Sequence, residues 1–250
     1  MTPSITAISP APGAPRVFLR AEWRYLAMLN YAIDPKILGP FIPPGTELDF
    51  FEGATFVSLV GFRFLHTRVF GVAFPFHGDF DEINLRFYVK RRTEEGWRRG
   101  VVFIREFVPR RAIAYVARLF YGEPYRAARM RHEVKHDAAG VSVRYDWKAA
   151  GRWNSLAATG TGEPLAIAAG SAEEFITEHY WGYTKRRDRS TEYQVEHPCW
   201  RIWTGARTSL DCDVTAIYGE QFAVALASPP ASAFIADGSP VTVRAGRRSG

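Results

Sequence analysis

Apolar and polar residues alternate with a period of two along much of the chain, which predicts a fold dominated by strands. The clearest run is DEINLRFYVK over 81–90. Its Glu82, Asn84, Arg86 and Tyr88 fall on one face, and Ile83, Leu85, Phe87 and Val89 on the other. Glu94-Glu95-Gly96 turns this strand back into 100–107, a hairpin. Strands are also predicted over 25–33 and over 54–64, a run rich in β-branched and aromatic residues. Between them, 40–53 reads as a rigid turn, a short strand and a second turn. Residues 130–136 alternate, turn at 137–140 and return over 141–147. Two further strands are predicted over 193–203 and 207–217, a long loop over 66–80, and a linker-like loop over 159–164.

Helical spacing is confined to short stretches. Asp34-Pro35 starts a helix over 35–39, because aspartate caps and proline suits a first turn. Residues 110–121 space Ile113, Val116, Ala117 and Phe120 on one side and end at Gly122 and Pro124. Ser171 and Glu174 form a capping box for a helix through 179–181. Eight or more hairpin-connected strands with a few short helices predict an α+β, β-rich chain folded as an antiparallel barrel or curled sheet. One domain is expected over 16–247, after a Pro-, Ala- and Ser-rich disordered tail over 1–15.

At 250 residues and 47% hydrophobic content the chain can bury a large core, and no apolar run is long enough to span a membrane. The first residues have neither the basic nor the apolar region of a signal peptide, and two cysteines are too few for a disulfide framework, so a cytoplasmic location is expected. The net charge of +6 raises the question of nucleic acid. Only five of the 32 basic residues are lysine, and the arginines are dispersed among acids, so nucleic acid is not an expected partner; with no spanning run, neither is a membrane.

His132-Glu133-Val134-Lys135-His136 has the H-E-x-x-H pattern of zinc hydrolases. That pattern works on a helix; in a strand, residues four apart stand ~13 Å apart, too far to share an ion. No metal or cofactor is therefore expected. The polar face of 82–88 is the stronger constellation, because such side chains cannot be buried without partners. If both faces of this strand are covered, Asn84 and Arg86 point inward and the arginine meets an anion. Ligand-binding candidates are Asn84, Arg86, Tyr88, Arg105, Arg110 and Tyr125, with Glu82 and Glu106 as candidate acids or bases. Trp147, Tyr180 and Trp200 are candidate apolar walls, and His197, before Pro198, reads as a structural hydrogen-bonding residue.

Several motifs in order resemble the DUF2071 (YqjF-like) family: DEINLRFYV over 81–89, YGEPY over 121–125, EFITEHY over 174–180 and EHPCW over 196–200. The segment 23–51, with PPGTELD over 43–49, fits the same family, and the resemblance spans about 17–246. It implies an acetoacetate decarboxylase-like fold, a cone-like antiparallel β-barrel with peripheral helices and a central cavity. Decarboxylases of that superfamily form a Schiff base on one lysine of a pair. Here the similar stretch REFVPRR, 105–111, carries Arg110 and Arg111 in place of that pair, and no lysine occurs from Arg91 to Val134. Arginine stays protonated and does not form that imine.

The leading expectation is a protein that binds or transforms a small anionic molecule, a carboxylate or keto acid, without Schiff-base chemistry. The second is a non-catalytic scaffold that forms homo-oligomers. The third is a lyase using a non-motif lysine, Lys90 or Lys148.

Overall fold

A computed structural model describes residues 15–186 and 189–249. The tail expected over 1–15 lies, up to residue 14, outside the described residues. Sixteen strands carry most of the described residues. They are β1 (Val17–Ile33), β2 (Glu47–Leu48), β3 (Thr55–Val69), β4 (Phe80–Thr93), β5 (Gly96–Val108), β6 (Tyr125–Ala127), β7 (Met130–Asp137) and β8 (Gly140–Ala149). After these come β9 (Arg152–Thr161), β10 (Leu165–Ala166), β11 (Trp181–Arg186), β12 (Arg189–Glu196), β13 (Arg201–Thr204), β14 (Arg207–Asp211), β15 (Ser232–Arg244) and β16 (Arg247–Ser249). The helices are short: α1 (Pro35–Leu38), α2 (Arg111–Phe120), α3 (Ala172–Thr177), α4 (Val214–Tyr218) and α5 (Ala223–Ala227). No helix among the described residues is long and apolar enough to cross a membrane.

The larger sheet follows the path β15-β1-β3-β4-β5-β11-β12, and β12 also pairs with β15, Val195 opposite Val243, so the path returns to its first strand. Neighbours along this path are antiparallel except β5 and β11, and off the path β6 runs parallel to β5. A second, four-stranded sheet ordered β14-β9-β8-β7 covers one face of the first. Leu85, Phe87, Leu59 and Leu29 of the large sheet pack there against Tyr145, Trp147 and Leu156 of the small one. The sheets approach so closely at Gly61 that a Cβ there would lie 2.8 Å from both Ile83 Cδ1 and Tyr145 Cδ2. The opposite face of the large sheet encloses a cavity.

Bulges decide which side chains reach that cavity. An extra residue in one strand reverses its inside–outside alternation and bends it. In β5 the register steps from Leu85–Arg105 to Arg86–Phe103, skipping Ile104, so Glu106 and Phe103 both face inward. In β1 the step from Arg24 to Ala27, with Tyr25 at φ 55°, turns both Trp23 and Leu26 inward. A third bulge at His66, φ 53°, lets β3 run on to Val69, so the loop expected over 66–80 shortens to 70–79.

The helix starts agree with their local signals. Asp34 accepts from Lys36 N–H at 2.8 Å, and Ser171 Oγ accepts from Glu174 N–H at 3.1 Å while the Glu174 carboxylate accepts from Gly170 N–H. The third helix stops at Thr177, short of the expected 179–181. Residues 152–161, read partly as a linker, form β9: this Ala-, Gly- and Thr-rich run has no alternation, and Gly160 fits because Trp203 Cβ fills the space of its absent side chain. The strand expected over 207–217 ends at Asp211, because Asp213 accepts from Ala216 N–H at 3.1 Å and starts α4.

Gly238, at φ 87°, pairs with Arg24 beside the β1 bulge, and a Cβ there would strike the Trp23 carbonyl oxygen. Gly238→Ala is expected to lower the unfolding free energy by about 2 kcal/mol or more. Equilibrium urea denaturation measures this, and an unchanged midpoint would contradict the packing described.

Candidate functional site

The cavity has a volume of about 530 Å³ and is walled mainly by aromatic and aliphatic side chains. Trp23, Phe62, Phe64 and Phe80 form much of this wall, with Trp200 stacked on His197 at 4.3 Å. Against this apolar background stands a polar stripe. The β4 strand contributes Glu82, Asn84 and Arg86, and β5 contributes Glu106 directly opposite Asn84. Tyr125 of β6 lies beside Glu106, because β6 runs parallel to β5 in that register. Glu123, just before β6, and Tyr193 of β12 complete the stripe.

Three carboxyl groups, those of Glu82, Glu106 and Glu123, are thus buried along one stripe. Tyr125 Oη donates to Glu82 Oε2 at 2.8 Å, and Asn84 Nδ2 donates to Glu82 Oε1 at 2.9 Å. Tyr193 Oη donates to Glu123 Oε1 at 2.9 Å. Burial raises the Glu82 carboxyl to about 7, even though Asn84, Tyr125 and Arg86 each favour its ionised form. Burial likewise raises Glu123 to about 8. Glu106 is pushed well above the carboxylate range by burial and by the nearby Glu123 and Glu82. These side chains therefore hold protons at pH values where an exposed glutamate has none. Arg86 supplies the opposing charge: its Nη2 donates to the Ile176 carbonyl at 3.4 Å, and its buried Nε has no partner in the protein.

A histidine borders the same space. His179 Nε2 lies 3.2 Å from Asp49 Oδ2, which also accepts from Arg99 Nε at 2.7 Å. Burial opposes ionisation of Asp49, but the bonds from His179 and Arg99 outweigh it and keep the carboxyl below its ordinary range. An ionised Asp49 accepts a hydrogen bond from Nε2–H, which leaves the lone pair on the buried, unpartnered His179 Nδ1. Burial lowers the imidazole to about 4, so the ring is neutral at pH 7.

Glu82, Asn84, Arg86, Glu106 and Tyr125, singled out from the sequence, come together in the lining. Three other candidates do not. Tyr88 is buried beneath it, hydrogen-bonded to Ser58 Oγ at 2.6 Å and in ring contact with His179. Arg105 faces away, because it pairs with Leu85 on the side of β5 opposite Glu106. Arg110 is exposed immediately before α2. Of the candidate walls, Trp200 lines the cavity, Trp147 is buried between the sheets, and Tyr180 bonds Glu178 outside the lining. His197 also lines the cavity, its Nδ1 at 3.0 Å from the Pro198 carbonyl.

The lysines lie elsewhere. Lys90 Nζ pairs with Glu47 at 3.4 Å and sits over Trp97, while Lys148 is exposed on β8. Lys36, Lys135 and Lys185 are also exposed, so none of the five lysines lines the cavity. The H-E-x-x-H residues lie on β7, as strand periodicity requires, with His132 Nδ1 at 2.9 Å from Asp81.

Glu123, Asp49 and His179 were not candidates. Their motif segments, GEP over 122–124, ELD over 47–49 and EHY over 178–180, mark them only weakly, and it is the fold that brings them to the site. The raised carboxyls have a measurable consequence. Folded Glu82 and Glu123 bind protons that the unfolded chain releases near 4.5, so the stability these two groups contribute is fully present below that pH and is lost as pH rises toward 8. Each proton so retained costs about 1.4 kcal/mol per pH unit. Glu123→Gln is expected to flatten the decline in Tm between pH 5 and 8; an unchanged slope by calorimetry would contradict the assignment.

The family model for DUF2071, an uncharacterized conserved protein family, matches residues 20–240. The chain is 28% identical over 189 residues to YqjF of Bacillus subtilis, covering 74% of each protein. Its fold is similar to that of acetoacetate decarboxylase from Legionella pneumophila, with a TM-score of 0.65 at 18% identity, covering 99% of this chain and 93% of that one. The enduracididine biosynthesis enzyme MppR, in a complex with pyruvate, also reaches a TM-score of 0.65, at 14% identity, over 98% of this chain and 93% of that one. With most of its length matched, the chain belongs to the DUF2071 family.

Proposed function

We propose that the protein binds or transforms a small carboxylate or keto acid inside the cavity by chemistry that does not pass through a Schiff base. The observation that carries this reading is Arg86, a buried guanidinium facing the cavity with an unpartnered Nε. A ligand carboxylate placed there gains charge-assisted hydrogen bonds in an apolar setting, where they are strongest. On the same stripe, the proton-holding Glu82 and Glu106 offer donors toward a carbonyl oxygen on which negative charge develops. Neutral His179, with Asp49 bonded to it, presents a proton acceptor in the same lining as Arg86.

Two further observations support the reading. The returning sheet reads as the cone-like barrel of the acetoacetate decarboxylase superfamily, and similar structures hold pyruvate and the condensation product of pyruvate and imidazole 4-carboxaldehyde in MppR. The absence of lysine from the lining separates this site from imine-forming ones. A lyase built on Lys90 or Lys148 is not favoured, since both ammonium groups lie outside the cavity.

Isothermal titration with pyruvate and acetoacetate tests the proposal. Saturable binding is expected, weakened about ten- to a hundredfold by Arg86→Ala, the range for hydrogen bonds to a charged group. Borohydride treatment of the mixture is expected to leave the protein mass unchanged. Equal affinity in the variant, or a reduced covalent adduct, would overturn the reading.

A further inference from the structure

Seven of the twelve large apolar side chains that are exposed among the described residues belong to two neighbouring segments, loop 70–79 and α2. The loop displays Phe70, Val72, Phe74 and Phe76, the last 89% exposed. Helix α2 displays Tyr115, Leu119 and Phe120. Phe70 and Phe120 are 6.0 Å apart, so the two segments form one surface. Both also line the cavity, the loop through Phe74 and His77 and the helix through Ile113 and Val116, so this surface is the cavity's outer rim.

Charge distinguishes this rim from an ordinary apolar patch. Arg111, Tyr115, Arg118 and Leu119 recur at i, i+4, i+7 and i+8, one outward face of the helix. Arg110 precedes them, and Arg16 holds its guanidinium 5.0 Å over the Phe70 ring. Loop 70–79 and residues 110–120 together contain three arginines and one acid, Asp79, whose carboxylate accepts from the His66 N–H. A second copy of this chain docked by the same patch about a two-fold axis would set three arginines of each copy against each other with only Asp79 to answer them. Exposed aromatics between arginines match instead an interface of acyl chains and anionic headgroups.

We infer that this rim docks on an anionic lipid bilayer, with Phe74 and Phe76 inserted at headgroup depth and Arg111 and Arg118 on lipid phosphates. Such docking needs no spanning segment, so it departs from the sequence expectation of no membrane partner without conflicting with its basis. It is independent of the ligand proposed for the cavity.

Sedimentation at pH 7 with vesicles of phosphatidylcholine and phosphatidylglycerol in equal parts, or of phosphatidylcholine alone, tests the inference. The full chain is expected to partition at least tenfold more strongly onto the mixed vesicles, and less so as salt rises. Arg111→Glu with Arg118→Glu is expected to weaken partition by about thirtyfold or more. Phe74→Ser with Phe76→Ser is expected to weaken it about tenfold or more. All four side chains are exposed, and circular dichroism with the melting temperature verifies that each variant keeps its fold. Failure of the folded wild type to bind either vesicle, or equal partition of a folded variant, overturns the inference. So does a wild-type dimer, without vesicle binding, that the same substitutions dissociate.

Discussion

Enclosing three carboxyl groups in an apolar cavity where, among the described residues, Arg86 is the one lining guanidinium is the constraint to which the rest of the structure answers. An ionised carboxylate removed from water is costly unless it is paired, and Arg86 cannot pair with three. Protonation resolves the conflict, because a neutral carboxylic acid needs only hydrogen-bond partners. Tyr125 and Asn84 donate to Glu82, and Tyr193 donates to Glu123. Burial outweighs the pull of these donors toward ionised carboxylates, and it holds both tyrosines in their protonated, donating form. The result is a store of exchangeable protons beside one fixed positive charge. That combination suits an anionic ligand whose charge shifts during reaction.

The backbone supplies the rigidity that such a site requires. One face of β4 is sealed by the four-stranded sheet through Ile83, Leu85 and Phe87, and its other face presents Glu82, Asn84 and Arg86. Because every second residue is locked in a packed core, the intervening polar side chains start from fixed positions. Bulges in β1, β3 and β5 then tune which residues share the inner face. Without the step at Ile104, Phe103 and Glu106 would point to opposite sides of β5.

The β4–β5 hairpin and the two faces of β4 were legible in the sequence because alternation there is strict and the turn is marked by Gly96. The inward position of Arg86 was legible only on the condition that both faces of β4 are covered, which its apolar partner strand suggested and the sequence alone does not settle. Arg105 misled because its inward placement assumes an unbroken alternation along β5, and a bulge leaves no signature in the sequence at Ile104. Strand β9 was hidden by its Ala, Gly and Thr composition, which makes sense only once Trp203 is seen packed on Gly160. The Asp49–His179 pair joins residues 130 positions apart, a contact fixed by tertiary structure alone. Glu123 stood in a visible motif, yet nothing local tells a buried glutamate from an exposed one.

Infrared spectroscopy of the carboxyl C=O stretch near neutral pH tests the central claim most directly, since protonated and ionised carboxyls absorb in separate bands. At pH 6 a protonated carboxylic acid band is predicted to be present in the folded protein, weaker in Glu82→Gln and Glu123→Gln, and lost on unfolding. A folded protein showing only ionised carboxylates at that pH would contradict the account.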